Sequence, residues 1–554
     1  MKWPSAINGV VAFGHTSGVS YNLSELFERV ADAVPDREAV VTPSRRLRFA
    51  ELDDRATRAA HVLADLGIAA GDHVGLQLLN GTEYLELMLG AYKLRAVPVN
   101  VNYRYVEREL AHLYADADIR ALVYHQQFAP RIEAVRRDTP TLEHFVVVRD
   151  GSDEPPIRGS IAYEAALAKA PATRDFAGRT ADDLYIAYTG GTTGLPKGVV
   201  WRHEDIFFAA MGAGDPSLSE GPIGDPDEIV ERVLPVGARM LIAPPLMHVS
   251  AQWGAFSIMY GGGTVVLLSP AAFDAEEVLD LAAQERANAV TLIGDAMARP
   301  VLERLRAEPQ RWDLSSLFVF ATGGTGMATS TRADIAALLP NVILIDGYGS
   351  TETGVAGSRA RGSDATIEDG ARFTVDERTA VLDDDMLPVA PGSGVIGRLA
   401  RRGHLPLGYY KDAEKTASTI VEANGVRWAL AGDMARVETD GTIVLLGRGS
   451  VSINTGGEKV YPDEVESVLK DHPDVQDALV VGVPHEHWGE QVVAVVSARP
   501  GHQPQLAALQ AHCRGSLAGY KVPRALCVVD EVLRGPNGKP DYRWARDRAS
   551  AVSP

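Results

Sequence analysis

The sequence predicts an α/β protein: a large multi-subdomain N-terminal domain with mostly parallel sheets covered by helices, and a small α+β C-terminal domain. Three observations carry this expectation. Helix-period and strand-like segments alternate through most of the chain, glycine-rich turns follow several of the strand-like runs, and the composition changes near residue 447. A βαβα rhythm implies parallel strands with helices packed over them. Ligands bind such sheets beyond the carboxyl ends of strands, where glycine-rich turns collect.

Residues 23–34 and 55–66 carry helix-period apolar positions, with Asn22 and Asp54 as caps. Residues 73–79, 97–101 and 121–125 read as strands, and the Gly-, Pro-, Asp- and Glu-rich stretch 212–231 as a surface loop. Asp274, with Glu277 three places on, makes a capping box that opens a helix running to about Gln284. Strands at 289–293, 317–321 and 342–345 then alternate with helices at 300–307 and 331–339. Past the composition change, Pro462 opens a helix with Asp463 and Glu464 in its first turn. Strands at 478–483, 492–497 and 525–529, with a helix at 506–517, complete a unit of ordinary domain size. The expected division is a large domain over 1–447, a hinge at 448–451 and a small domain over 452–554.

Composition narrows the class of partner. The 554 residues are 46% hydrophobic with a net charge of −19, which argues against nucleic acid or an anionic membrane as a bulk partner. A chain this acidic that binds an anion must concentrate positive charge inside its motifs. The two cysteines, Cys513 and Cys527, exclude a disulfide framework and a four-cysteine zinc site. The N-terminal apolar stretch is too weak for a signal peptide, and residues 254–268 are too short to span a bilayer. The expected location is the cytoplasm, with no transmembrane segment.

The most informative stretch is Tyr188-Thr189-Gly190-Gly191-Thr192-Thr193-Gly194-Leu195-Pro196-Lys197-Gly198, between two strand-like runs. Glycines let backbone N–H groups approach a phosphate, threonine hydroxyls add donors, and Lys197 adds a mobile positive charge. The common nucleotide loop requires Ser or Thr after its lysine and a helix beyond. Gly198 and two valines stand there instead, so this is a different phosphate loop. Two further turns follow strands: Thr322-Gly323-Gly324-Thr325-Gly326 and Asp346-Gly347-Tyr348-Gly349-Ser350-Thr351-Glu352. In the second, Tyr348 could stack on a nucleobase and Asp346 could accept from its amino group. Thr351 could donate to a phosphate, and Glu352 could hold Mg²⁺ through oxygen. Asp433 could accept two ribose hydroxyls, with Arg448 near it. Arg448 to Ser450 falls where the composition changes, and Gly456-Gly457 leaves room for a narrow chain to pass close to backbone.

In their order and spacing these motifs resemble the adenylate-forming superfamily of acyl-CoA synthetases, luciferases and peptide-synthetase adenylation domains, over about residues 20–545. The resemblance implies that a carboxylic acid is activated with ATP to an acyl-adenylate, and that the small domain then rotates so that a thiol, usually CoA, displaces AMP. It implies ATP/AMP binding by Thr189, Gly190, Gly191, Thr192, Thr193, Gly194, Lys197, Gly323, Gly324, Asp346, Gly347, Tyr348, Gly349, Thr351, Asp433 and Arg448. Lys539, in Arg534-Gly535-Pro536-Asn537-Gly538-Lys539, looks like the family's catalytic lysine, acting with Thr351 and the metal-binding Glu352. His248, Trp253 and Gly324 would line the acyl pocket; Gly456, Gly457 and Glu458 the CoA tunnel; Ser450 the hinge. Trp201 through Asp205, Gly294-Asp295-Ala296-Met297-Ala298-Arg299-Pro300 and Gly447 through Asn454 are similar to bacterial acyl-CoA synthetases of fatty acids and sterol side chains. Gly447 departs from the family, where Asp commonly precedes the hinge arginine, and Ser450 stands where Asp or Lys is common. A carrier-protein-loading ligase, a luciferase-like or amide-forming member and a non-catalytic binding relative remain alternatives. Retention of Lys539 and Glu352 speaks against the last. The expected partners are small molecules, and a homodimer is compatible with the sequence.

Overall fold

The computed structural model describes residues 20–189, 195–215, 220–268, 273–323, 327–361, 372–455, 458–485, 489–517, 519–535 and 539–551. Asn22 caps the first helix, Leu23–Ala33, by accepting from the Ser24 and Glu25 amides. The second helix, Phe49–Asp65, begins six residues before the expected start at 55. The buried side chains of Phe49 and Leu52 extend its apolar face. Glu51 closes its N-terminus by accepting from the Arg48 amide at 2.8 Å. Asp54 is therefore no cap; it pairs with Arg58 one turn on, at 2.7 Å. Asp274 does cap its helix, Ala275–Gln284. The expected 300–307 helix is longer, Gly294–Ala307, and carries Pro300 inside it. The stretch read as loop at 212–231 contains a 3-10 turn, Gly212–Gly214, and a short helix, Glu228–Glu231.

Two eight-stranded sheets build most of the large domain. One runs from Gly408–Tyr409 through Lys197–Arg202, Leu184–Thr189, Val97–Asn100, His73–Gln77, Ile119–His125 and His144–Val148 to Ile161–Ala162. It is parallel except where Lys197–Arg202 joins its two neighbours. The other runs from Gly354–Arg361 through Ile343–Ser350, Val319–Gly323, Ala289–Leu292, Arg239–Ile242, Thr264–Leu267 and Glu38–Val41 to Arg46–Arg48, antiparallel only at its edges. A third sheet, within residues 372–448, is antiparallel throughout. Of its short strands, Ile443–Arg448 had the clearest apolar run in the sequence. The small unit holds a five-stranded sheet in which Val475–His485 and Gly489–Ala498 form a long hairpin, covered by Pro462–Lys470, Leu506–Arg514 and Tyr542–Ser550. The third sheet ends at Arg448 and the small sheet starts at Ile453, with a 3-10 turn, Gly449–Val451, between them. No helix among the described residues is long and apolar enough to cross a membrane.

The first three helices enclose a buried ion cluster. The Lys93 side chain is fully buried; its ammonium donates to Glu28 and, at 2.7 Å, to Asp53. Arg179 holds Glu28 and Arg174 holds Asp53 from the segment that leads to the central strand. Burial raises the Glu28 pKa, but the Arg179 and Lys93 bonds outweigh it and bring it down to about 2. Removing one member strands buried charge, a loss of about 3–5 kcal/mol. Lys93→Met should therefore lower the free energy of unfolding in urea by an amount of that order, and an unchanged free energy would contradict the assignment.

Candidate active site

The strands that flank the phosphate loop are held in register by an antiparallel ladder, with Tyr188 opposite Gly198 and Thr189 opposite Lys197. Gly190, Gly191, Thr192, Thr193 and Gly194 lie outside the described residues. The strand before the loop is anchored by Asn100. Val97–Asn100 pairs with Leu184–Thr189 at one residue pair only, Val99 with Ile186. Beyond it the Asn100 side chain takes over, accepting from the Tyr188 amide at 2.7 Å and donating to the Tyr188 carbonyl at 2.8 Å. The Asn100 side-chain NH₂ also donates to the Met247 carbonyl at 2.8 Å. One buried side chain thus joins the phosphate-loop strand to the segment that carries His248. Lys197 is half exposed and pairs at 2.5 Å with Asp412, the N-cap of Ala413–Thr419.

The second motif is strand rather than loop. Ile343–Ser350 continues through Asp346, Gly347, Tyr348 and Gly349 and turns back at residues 351–353 into Gly354–Arg361. The expected strand at 342–345 stopped short because its glycines weaken the strand signal; they serve the close hairpin instead. A Cβ on Gly349 would stand 2.2 Å from the Gly354 carbonyl oxygen. Asp346 is buried and accepts from Arg332 at 2.5 Å; burial raises its pKa against the pull of that guanidinium. The Tyr348 ring lies 5.5 Å from Phe373, and its hydroxyl donates to Asp433 at 2.6 Å. At the turn, the Trp201 indole donates to the Thr351 carbonyl at 3.0 Å. Glu352 accepts from the Tyr409 hydroxyl at 2.6 Å. Gly323 stands opposite Gly347 on the neighbouring strand, whereas Gly324 lies outside the described residues.

Asp433 begins the strand Asp433–Val437. Its opposite number in the antiparallel ladder is Arg448, so the two proposed ribose contacts are cross-strand neighbours. The Arg448, Ser450 and Glu458 side chains, and Gly456 and Gly457, lie outside the described residues. The backbone of Glu458 pairs with Thr455 in a small-domain hairpin. Gly447 has φ +108, and a Cβ there would meet the Asp463 carboxylate at 2.5 Å. The glycine that departs from the family pattern thus occupies a position where an aspartate would be strained and would crowd a like charge.

His248 precedes the helix Val249–Tyr260, and Trp253 is buried one turn along. The His248 Nε2 is buried and has no hydrogen-bond partner among the described residues. Burial, then the nearby charges of Lys539 and Arg104, push the imidazole down to about 4. Lys539 therefore acts on His248 across the junction between the large and small units. Its turn is closed by the Gly535 amide donating to the Lys539 carbonyl at 2.8 Å. At its base Arg534 forks onto Asp477 at 2.6 and 2.8 Å. A cleft of about 940 Å³ opens at this junction, lined among others by Asn80, Arg104, Met297, Val532, Arg534 and Trp544.

The structure thus brings together Tyr348 with Asp433, and Thr351 and Glu352 at one turn, and the charge of Lys539 bears on His248. Asn100, Arg332, Tyr409 and Asp412 were missed in the sequence, and Trp201 was noted there only as part of the 201–205 motif, with no role at the Thr351 turn. Only Asp412 carried a local signal, as an aspartate ahead of a helix.

Comparison with known proteins agrees with this geometry. The family model of the AMP-binding enzymes matches residues 27–410, and that of the AMP-binding enzyme C-terminal domain matches residues 464–539. A medium/long-chain-fatty-acid–CoA/3-oxocholest-4-en-26-oate–CoA ligase of Mycolicibacterium smegmatis is 47% identical over 535 residues, 96% of either chain. A 3-oxocholest-4-en-26-oate–CoA ligase of Rhodococcus rhodochrous is 45% identical, again over 96% of each chain. Among solved structures, the anthranilate CoA ligase AuaEII in complex with anthranoyl-AMP superposes with a TM-score of 0.82 at 26% identity, covering 96% of this chain and 98% of that one. With both family models in chain order and nearly full-length relatives at this identity, the chain belongs to the AMP-binding enzymes, the adenylate-forming family that its motifs resemble.

Proposed function

We propose that the chain is an ATP-dependent acyl-CoA synthetase for a sizeable hydrophobic carboxylic acid, either a fatty acid or a sterol side-chain carboxylate. The observation that carries this reading is the match of both AMP-binding family models in chain order, together with nearly full-length relatives named as acyl-CoA ligases. The charge of Lys539 bears on His248, and Tyr348 and Asp433 stand together as the candidate nucleoside contacts. The substrate class follows the activities of the relatives at 45–47% identity.

In the first step an oxygen of the acid attacks the α-phosphorus of ATP, and the bond to the β-phosphate oxygen breaks to release pyrophosphate. Lys539 stabilises the negative charge that builds on the transferring oxygens, a contribution of the kind that fixed charges make in dry sites. Lys197 and the glycine-rich loop hold the β- and γ-phosphates, Lys197 exchanging Asp412 for phosphate oxygen. Thr351 donates to the α-phosphate, the Tyr348 ring covers the base, and Asp433 accepts from the ribose. Among the described residues no group of three or more acidic, His or Cys side chains could hold a metal. A lone carboxylate, Glu352, with phosphate oxygens and water is nevertheless the donor set that Mg²⁺ commonly takes. When bound there it would neutralise phosphate charge. In the second step the small domain turns about residues 448–451, the CoA thiol enters past Gly456, Gly457 and Glu458, and its sulfur displaces AMP from the acyl carbon. His248 and Trp253 line the acyl pocket.

A pyrophosphate-release panel of short, long, branched, aromatic and sterol-side-chain acids tests the reading. The highest kcat/KM should fall on a long or sterol-side-chain acid, with AMP released on adding CoA. Acetate or an amino acid as the best substrate, or release of AMP only with a carrier protein, would overturn it. Lys539→Ala should slow pyrophosphate release by about 10²-fold, the scale for losing one charge stabiliser. It should change thioester formation from synthetic acyl-adenylate far less, and equal losses in both steps would argue for a fixed site. His248 should stay neutral at pH 6 and protonate only near pH 4, followed through its ring NMR shifts. Because its pKa is depressed, the stability it confers is full above the ordinary histidine pKa of about 6.5 and is lost as pH falls towards 4. The midpoint should rise in Lys539→Ala; an unchanged midpoint in that variant would place the lysine elsewhere, and a wild-type midpoint near 6.5 would contradict the burial of His248.

A further inference from the structure

The motif Gly294-Asp295-Ala296-Met297-Ala298-Arg299-Pro300 has no part in the chemistry above, yet every polar member of it is engaged. The Gly294 amide donates to Thr322 Oγ1 at 3.0 Å. Asp295 accepts from the Ala328 amide at 3.2 Å, where the helix Thr329–Leu338 begins. Arg299 is the only one that crosses into the small domain. The residue is buried at 8% exposure, and its guanidinium donates to the Gln476 carbonyl at 2.8 Å and the Lys470 carbonyl at 3.3 Å. Its Nε donates to Thr331 at 3.2 Å, and Asp295 stands 3.7 Å away. Lys470 is the last residue of Pro462–Lys470, so a cation meets the negative end of a helix. Next to it the reverse arrangement occurs: Asp471 accepts from the Ser330 amide at 2.9 Å, in the first turn of Thr329–Leu338. Two complementary contacts of opposite polarity therefore grip one turn, residues 470–476. That turn leads to Asp477, which holds Arg534 at the base of the Lys539 loop.

We propose that Arg299 and Asp471 form a positioning latch that holds the small domain in the orientation in which Lys539 faces His248. The latch rests on the two-step reading above. It supports the adenylate-forming step and must open before the thioester step. Neither residue touches substrate; both act through the placement of Lys539.

The full-length enzyme tests this in three measurements: pyrophosphate release, thioester formation from synthetic acyl-adenylate, and the distance between nitroxide labels at Gln310→Cys and Ser516→Cys. Both label sites are exposed and lie in different domains, while the native Cys513 and Cys527 are buried. Arg299→Ala should slow pyrophosphate release about 10-fold, the scale of a charge-assisted hydrogen-bond set. It should leave thioester formation within about twofold and broaden the label distances. Asp471→Asn, which spares the buried guanidinium, should act in the same direction, and Arg299→Lys should fall between wild type and Arg299→Ala. Equal losses in the two steps, undiminished pyrophosphate release or an unchanged distance distribution would each overturn the latch. If the wild type adenylates no acid at all, the proposed function fails, and the label distances alone decide the latch.

Discussion

The site depends on a buried amide. Parallel strands must separate for a loop to open at their carboxyl ends, and each separation leaves backbone donors and acceptors without a ladder. Asn100 solves this where Val97–Asn100 parts from Leu184–Thr189, by returning both hydrogen bonds to Tyr188 from its side chain. It then spends its remaining donor on Met247, so the phosphate-loop strand and the segment entering the acyl pocket share one anchor. Leucine or alanine at this position would leave three backbone groups unmet in a dry interior. The rest of the site is arranged from this point outward: Trp201 on the adjoining strand reaches the Thr351 turn, and Tyr409 on the next strand reaches Glu352.

Much of the fold was legible because helices and strands announce themselves locally. Asn22 and Asp274 cap where a short polar acceptor precedes an apolar face, and the parallel strands read as apolar runs. Asp54 misled because an aspartate inside a helix looks like a cap until buried Phe49 and Leu52 are counted into the same face. The Asp346–Ser350 stretch misled for the opposite reason: its glycines signal a loop, yet they pack two strands against each other too closely for side chains. The motif residues themselves were visible as clusters of unusual composition. Their supports were not. Asn100 meets Tyr188 from 88 positions away, Trp201 meets Thr351 from 150, and Tyr409 meets Glu352 from 57. No periodicity joins such pairs, and a tyrosine or asparagine that serves one looks like any other.

Burial sets the charge states that matter at the junction. His248 is held neutral by its surroundings, with Lys539 and Arg104 adding to the same effect. Asp346 and Arg332, by contrast, are buried as a pair, and their exchange for apolar residues of similar volume need not cost stability. Gly447 belongs to the same account. Its positive φ lets the chain leave the third sheet close to Asp463 with no side chain between them.

The helix Thr329–Leu338 is worth following to its end. Ser330 at its start binds Asp471 of the small domain, and Arg332, two residues on, binds Asp346 of the strand that carries Tyr348. Modular shuffling of acyl-pocket segments among relatives assumes seams that sever few contacts. A seam drawn between residues 323 and 343 would break this assumption on both sides at once. A graft that imports the hairpin without its own helix would inherit a buried carboxylate with no guanidinium, and a docking face tuned to another enzyme's small domain. The transferable unit is the helix together with the strand and the turn it grips, three pieces that are scattered along the chain but inseparable in space.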